Sequence, residues 1–216
     1  MWPDPDKTEK LLSDARRGDM RAVNRLLERH RDAVRRLVQM RLDQKIQRRI
    51  DVSDVVQDVF VEANRRLREY LQAPVMPFHL WLRHIARDRI IDAHRRHRVS
   101  AKRSVDREQS LTPAGPVDRS TRELAAQLSD QQLTPAAAAT QKELAQRVEQ
   151  AIARLSDPDA EIIVMRHYEH LTNQEVALAL SLSEPAASMR YLRAVRRLRA
   201  LLFDEPLGLS SPQESP

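Results

Sequence analysis

Apolar positions along this chain recur at three- and four-residue spacing and hardly ever alternate, so the pattern predicts helices from end to end. Leu11, Leu12 and Ala15 mark a short first helix, with Thr8 as its cap and Gly18 as its stop. Asp19 caps a longer helix that buries Ala22, Val23, Leu26, Leu27, Ala33, Val34, Leu37, Val38 and Leu42 and turns arginines outward. The basic run Gln44–Arg49 predicts a turn. Asp51-Val-Ser-Asp54 opens a third helix with Val55, Val56, Val59, Phe60, Ala63, Leu67 and Leu71 as its stripe. Pro74 and Pro77 break the pattern. A fourth helix, Phe78–Arg98, gathers Phe78, Trp81, Leu82, Ile85, Ala86 and Ala93 on one face. Leu80, Arg83, Arg87, Ile91, His94 and Arg98 form a stripe on the other. That stripe has no acid in it. It suits a polyanion, and an ordinary solvated helix back also carries such a pattern.

From Ser100 to Ala139 the periodicity fades into Ser, Thr, Pro, Asp and Gln, predicting a linker with one transient helix at Arg122–Leu128. Thr134-Pro135 resembles a cap and first helical residue. Helical spacing then resumes with Leu144, Val148, Ile152 and Leu155. Ser156/Asp157 with Pro158 start a helix carrying Ile162, Ile163, Met165 and Tyr168. Thr172-Asn-Gln-Glu175 fits a capping box ahead of a short helix. Ser181-Leu-Ser183 is a tight turn without the usual glycine, and Ser183 caps a last helix burying Ala187, Tyr191, Val195, Leu198 and Leu202. Two helices joined this way describe a helix-turn-helix, a DNA-reading motif; a plain αα-hairpin has the same outline. The segment from Asp204 predicts a mobile tail. The expected architecture is all-α. Two small helical domains, residues 1–99 and 140–203, are joined by the linker 100–139 and followed by the tail 204–216.

Composition narrows this reading. With 3 glycines, 4% aromatic residues and 31% charged residues, the chain does not have the turns and stiff strands of a β-rich or catalytic α/β fold. The absence of cysteine excludes disulfides and thiolate metal sites and fits a reducing compartment. No apolar run is long enough to span a membrane and the N-terminus has no apolar signal region, so the expected location is the cytoplasm. Charge is uneven. Residues 1–100 hold 23 Lys and Arg against 15 Asp and Glu, residues 101–140 balance, and residues 141–216 hold 9 against 11. A local basic block, Arg190 to Arg199, sits in that last segment. Two basic patches separated by a neutral stretch suggest a nucleic acid touched at two places.

In the third helix, Asp54, Asp58 and Glu62 follow an i, i+4, i+8 row, a mildly self-repelling arrangement that suits either the helix dipole or a basic partner. The histidine pairs His94/His97 and His167/His170 do not make a metal site, because the first sits among arginines and neither has an evident third ligand. No cofactor and no metal is expected.

Together these pieces resemble an extracytoplasmic-function sigma factor of the sigma-70 family. The likeness rests on Arg17-Gly-Asp19 with Ala22, on Asp51 to Phe60, and on Phe78, Trp81-Leu82, Ile85-Ala86-Arg87, Asp92 and Arg95-Arg96. In the C-terminal part it rests on Leu155, Met165-Arg166, Leu171-Thr172, Glu175-Val-Ala177 and Met189-Arg190. The resemblance implies a non-enzymatic transcription initiation factor whose partners are core RNA polymerase, promoter DNA and, as a candidate, an anti-sigma factor. It places Asp54, Gln57 and Asp58 on the polymerase β′ clamp helices. Contacts to the promoter −10 element fall to Leu71, Gln72, Val75, Met76, Arg83, Arg87, His94, Arg95 and Arg98. The C-terminal module would sit on the β flap and read the −35 element through Ser183, Ala186, Ser188, Met189, Arg190, Arg193 and Arg197. Asp88 stands where the family commonly has Asn, and Ala187-Ser-Met189 where a Lys-containing stretch is common. The competing reading is a helix-turn-helix regulator that binds DNA without polymerase.

Overall fold

The computed structural model describes residues 2–42, 50–101, 119–128 and 138–203. The expected turn at 44–49, most of the linker, the Thr134-Pro135 cap and the tail lie outside them. No strand occurs among the described residues.

Helix α1, Pro5–Arg16, starts earlier than Thr8 predicted. Asp4 caps it, with its carboxylate accepting from the Asp6 amide at 2.9 Å, and Pro5 supplies the preset first turn. Thr8 is instead buried one turn in, donating to the Asp4 carbonyl. Gly18 ends the segment at φ +90°, a left-handed conformation that favours glycine. Asp19 caps α2, Met20–Arg41, through the amides of Arg21 and Ala22. Asp51 caps α3, Val52–Gln72. After the proline break comes α4, Phe78–Ala101. Their apolar stripes form one core that includes Leu26, Val34, Val38, Val59, Ala63, Leu82 and Ala86, each almost fully buried.

The second module begins inside the expected linker. Helix α5, Arg119–Leu128, buries Thr121, Leu124, Ala125 and Leu128, and packs on α6, Ala138–Arg154. Its i, i+3, i+4, i+7 apolar spacing is helical; what the local sequence did not supply was the core that receives it. Ser156 and Pro158 start α7, Asp157–Ile163, which runs into a π-helical turn at Val164–Tyr168. Thr172 and Glu175 form the capping box of α8, Asn173–Leu180, with both reciprocal bonds present. Ser181 occupies the left-handed position between α8 and α9, Glu184–Phe203, at φ +54°. The hydroxyl of Ser183 accepts from the Ala186 amide at 3.3 Å, as the cap of α9.

The two modules are in contact. Leu80, expected on the open stripe of α4, is fully buried and belongs to the C-terminal core beside Ile162, Ile163 and Met165. A second module covers that side of α4, so the helix is apolar toward two cores at once.

Candidate functional site

At the seam between the modules, four charged side chains meet out of water. Arg41 at the end of α2 and Arg83 on α4 are 2% and 1% exposed, and their partners are Glu161 on α7 and Glu169 just past the π turn. Arg41 Nη1 donates to Glu161 Oε2 at 2.7 Å and its Nε to Glu169 Oε1 at 2.8 Å. Arg83 Nη2 donates to Glu161 Oε1 at 2.7 Å, while its Nε donates to Glu169 Oε2. Each guanidinium therefore bridges two carboxylates, and Arg41 also meets Glu161 as a two-pronged fork, with its Nη2 donating to Oε1 at 3.2 Å. Burial alone would raise the Glu161 carboxyl, yet Arg41 and Arg83 outweigh it and hold it at about 2. Glu169 is lowered for the same reasons, and Arg41 is held above its usual value against the pull of desolvation.

Why these four converge is a matter of helix geometry. Glu161 and Glu169 are eight residues apart, and a regular α-helix would rotate them about 80° from each other. The wider π turn between them removes part of that rotation. Around the network, His79 Nε2 lies 2.7 Å from Glu175 Oε1, tying α4 to the capping box of α8. Trp2 lays its ring against His30 and His79, at 6.3 and 5.9 Å between centroids.

Arg83, expected to contact −10 DNA, is buried in this arrangement and pairs with two carboxylates of the other module. Neither Arg41, Glu161 nor Glu169 was singled out by the sequence. The available signals were Leu80 inside a basic stripe and Glu161 leading the apolar run Ile162–Met165.

The other expected contacts fall in separate places. Leu71 is half-buried on its own core, Gln72 and Val75 are exposed, and Met76 packs partly against the C-terminal core. Tyr70 donates its hydroxyl proton to the Met76 carbonyl at 3.0 Å and packs edge-on against Phe78 and tilted against Trp81, so the aromatic cluster holds this loop. Arg87 and His94 are half-buried and Arg95 is exposed; the Nε of Arg87 is buried without a hydrogen-bond partner among the described residues. Arg98 lies on α4, with its side chain outside the described residues.

On α3, Asp54 and Gln57 are exposed. The rest of the acidic row is already partnered. Asp58 pairs with Arg96 at 3.1 Å, and Glu62 pairs with Arg65 at 2.6 Å and with Arg66. Hydrogen bonding from Arg65 is the first cause holding the Glu62 carboxyl down at about 2. These i+3 and i+4 arginines were visible in the sequence and account for Glu62 without an external partner. Asp58, Glu62, Val61, Arg89, Asp92, Arg95 and Arg96 line one open surface depression of about 430 Å³.

On α9, Ser183 and Met189 are exposed, Ala186, Ser188 and Arg190 are half-buried, and Arg193 is exposed with its Nε on the Met189 carbonyl at 3.3 Å. Arg197 differs from these, because it pairs with the buried carboxylate of Asp159 on α7. His167 Nε2 lies 2.8 Å from the Tyr191 hydroxyl, and the Arg166 guanidinium sits over the Tyr191 ring. These interactions fix α9 against the π turn. Among the described residues, no helix is long and apolar enough to cross a membrane.

Residues 26–99 match the family description Sigma-70 region 2, and residues 145–198 match Sigma-70, region 4. The chain is 30% identical over 204 residues to the RNA polymerase sigma factor NccH of Alcaligenes xylosoxydans xylosoxydans, covering 92% of this chain and 96% of that one. It is 32% identical over 200 residues to the RNA polymerase sigma factor CnrH of Cupriavidus metallidurans, with the same coverage. The fold is similar to that of CnrH in complex with the cytosolic domain of CnrY, at a TM-score of 0.54 and 24% identity over 94% of this chain and all of that one. It is also similar to that of RpoE in complex with the anti-sigma factor NepR from Bartonella quintana, at a TM-score of 0.51 and 17% identity over 83% and 96%.

Proposed function

The chain belongs to the sigma-70 family of RNA polymerase sigma factors, and from that premise we propose how its surfaces divide the work of a transcription initiation factor. The N-terminal module docks on the β′ clamp helices of core RNA polymerase through Asp54, Gln57 and Asp58. Arg87, His94, Arg95 and Arg98 then track −10 phosphates, and the loop from Leu71 to Met76 holds an unstacked base. The C-terminal module sits on the β flap and reads the −35 element through the exposed side of α9, from Ser183 to Arg193. Opening the duplex needs no bond-making chemistry. Unstacking a base costs a few kcal/mol, offset by a pocket and by phosphate contacts. The site of action is the cytoplasm, and an anti-sigma factor is a partner of the kind that the CnrH and RpoE structures name for those proteins.

The observation that carries this reading is the order of the two matched regions, each on its own helical module, with Asp54 and Gln57 exposed on one and Arg190 and Arg193 accessible on the other. Purified core polymerase tests it. Added chain should bind core and give promoter-dependent initiation, and Asp54→Arg with Asp58→Arg should weaken core binding at least about tenfold. A helix-turn-helix regulator would bind the same DNA without polymerase and leave initiation by core unchanged.

A further inference from the structure

Whatever covers the outward side of α9 has to accept apolar groups set among cations. Ala187, Ala194 and Leu198 bury one side of this helix. At about 100° per residue, the line opposite them runs through Pro185, Met189, Leu192 and Arg196, all exposed. Met189 is 51% exposed and Leu192 46%, and they stand one turn apart. Single exposed apolar side chains are ordinary on a protein surface, but a pair continued by a proline along one helix line is a patch. Its border is basic. Arg190 and Arg193 flank it on one side, and Arg196 follows it. The Arg193 Nε donates to the Met189 carbonyl at 3.3 Å, which holds the arginine along the helix surface. The start of α9 is fixed as well, by the Ser183 cap and by the Asn173 side chain, which donates to the Glu184 carbonyl at 3.1 Å. The patch therefore lies on the first turns of the second helix of the helix-turn-helix. Those turns meet base edges when such a helix enters the major groove.

We infer that Met189 and Leu192 read thymine methyl groups in the −35 element, so that this chain selects part of that element by apolar contact. The inference rests on the proposed reading of the −35 element by α9. Base edges in the major groove offer donors and acceptors, and the one apolar group among them is the C5-methyl of thymine. An isobutyl side chain forms no hydrogen bond, and a thioether accepts only weakly. Set against the amino group of cytosine or the O6 and N7 of guanine, they leave those groups dry and unpaired, which is costly. Set against thymine, they exchange water for a methyl contact. Leu192 stands about 4.5 Å beyond Met189 along the helix axis, close to the rise of about 3.4 Å per base pair. The two side chains thus suit methyls on neighbouring pairs, and the unbranched Met189 adapts to the exact position of its own. The flanking arginines hold phosphates, which positions the helix without choosing a sequence. Burying one methyl-sized group corresponds to about a fourfold gain in affinity.

The full-length chain assembled with core polymerase tests this on duplex promoters. The preferred −35 sequence is first selected from a pool randomised upstream of the −10 element. Each of its thymines, on either strand, is then replaced in turn by deoxyuridine, which removes the methyl and leaves the base pair intact. At least one replacement should weaken binding about fourfold. With Met189→Ala and Leu192→Ala together, and folding checked by circular dichroism, thymine and uracil should bind alike. The wild-type comparison needs no variant and decides alone if the double variant fails to fold. Uracil equal to thymine at every position overturns the inference, as does a selected element without thymine. So does a folded double variant that still separates the two bases, or one that binds core polymerase more weakly in the absence of DNA, since the patch then faces protein. A pool that enriches no upstream sequence overturns the −35 reading of α9 and the inference with it, whereas enrichment without a methyl effect overturns the inference alone.

Discussion

Buried charge in this protein is settled residue by residue. Arg41 and Arg83 are nearly fully buried, and each is satisfied by carboxylates from the other module. Removing one partner of such a network typically costs about 3–5 kcal/mol, because it leaves an uncompensated charge. Here that cost falls on the seam rather than within either core. His30 is a second buried polar group, 1% exposed, and its Nδ1 donates to the Leu26 carbonyl at 2.8 Å. Burial is the main cause lowering its pKa to about 4. The unfolded chain takes up that proton near pH 6.5, whereas the folded one refuses it until about pH 4. Stability therefore falls as pH drops through this window, by roughly 3 kcal/mol from this one group. His30→Leu should flatten that part of the pH dependence in thermal melts between pH 7 and 4.5. Wild-type and variant curves that stay parallel would remove His30 as the cause.

Elements here are set by their ends. Asp4, Asp19, Asp51, Thr172 and Ser183 each accept a backbone N–H at a helix start; the last four mark boundaries legible in the sequence, whereas the sequence places the first helix at Thr8, one turn inside the helix that Asp4 caps. Ser181 shows how a helix-turn-helix can do without its glycine: it takes the left-handed conformation at φ +54°. The basic side of α9 divides into two groups for a reason that concerns its packing. Arg197 is held by Asp159, while Arg190 and Arg193 have no carboxylate partner among the described residues. Substituting Arg190 and Arg193 by Ala should lower the salt slope of −35 DNA binding by about 1 for each phosphate that is no longer neutralised. Arg197→Ala should change that slope less and reduce the stability of the C-terminal module. Equal slope changes for all three would place Arg197 on DNA as well.

For the whole molecule, the contact between the modules and the stability of each module should separate under acid. Glu161 is held at about 2 and Glu169 is lowered, whereas carboxylates freed into water titrate near 4.3. A depressed pKa at the seam means that this contribution is complete above about pH 4.3 and is lost as pH falls toward 2. The scattering radius should hold steady from pH 8 to 5, even while His30 is already weakening the N-terminal module. Expansion at pH 6 with helicity intact would show that the glutamates do not hold the modules together.

The sequence by itself determined the helices, the caps Asp19, Asp51, Thr172 and Ser183, the two-module order and the family, because each of these rests on spacing over a few residues or on motifs in fixed succession. It placed Asp54 and Gln57 on an open surface and left Glu62 looking for a partner that Arg65 and Arg66 already supply. What it could not determine was the far side of α4. Leu80 and Arg83 lie on a stripe that reads as solvent-facing, and only the arrival of Glu161 and Glu169, which follow Arg83 by 78 and 86 positions, turns it into an interface. Helix α5 became part of a core for the same reason. Periodicity shows that a helix has a second face; which partner covers that face depends on groups distant in sequence, and only the tertiary structure brings those together.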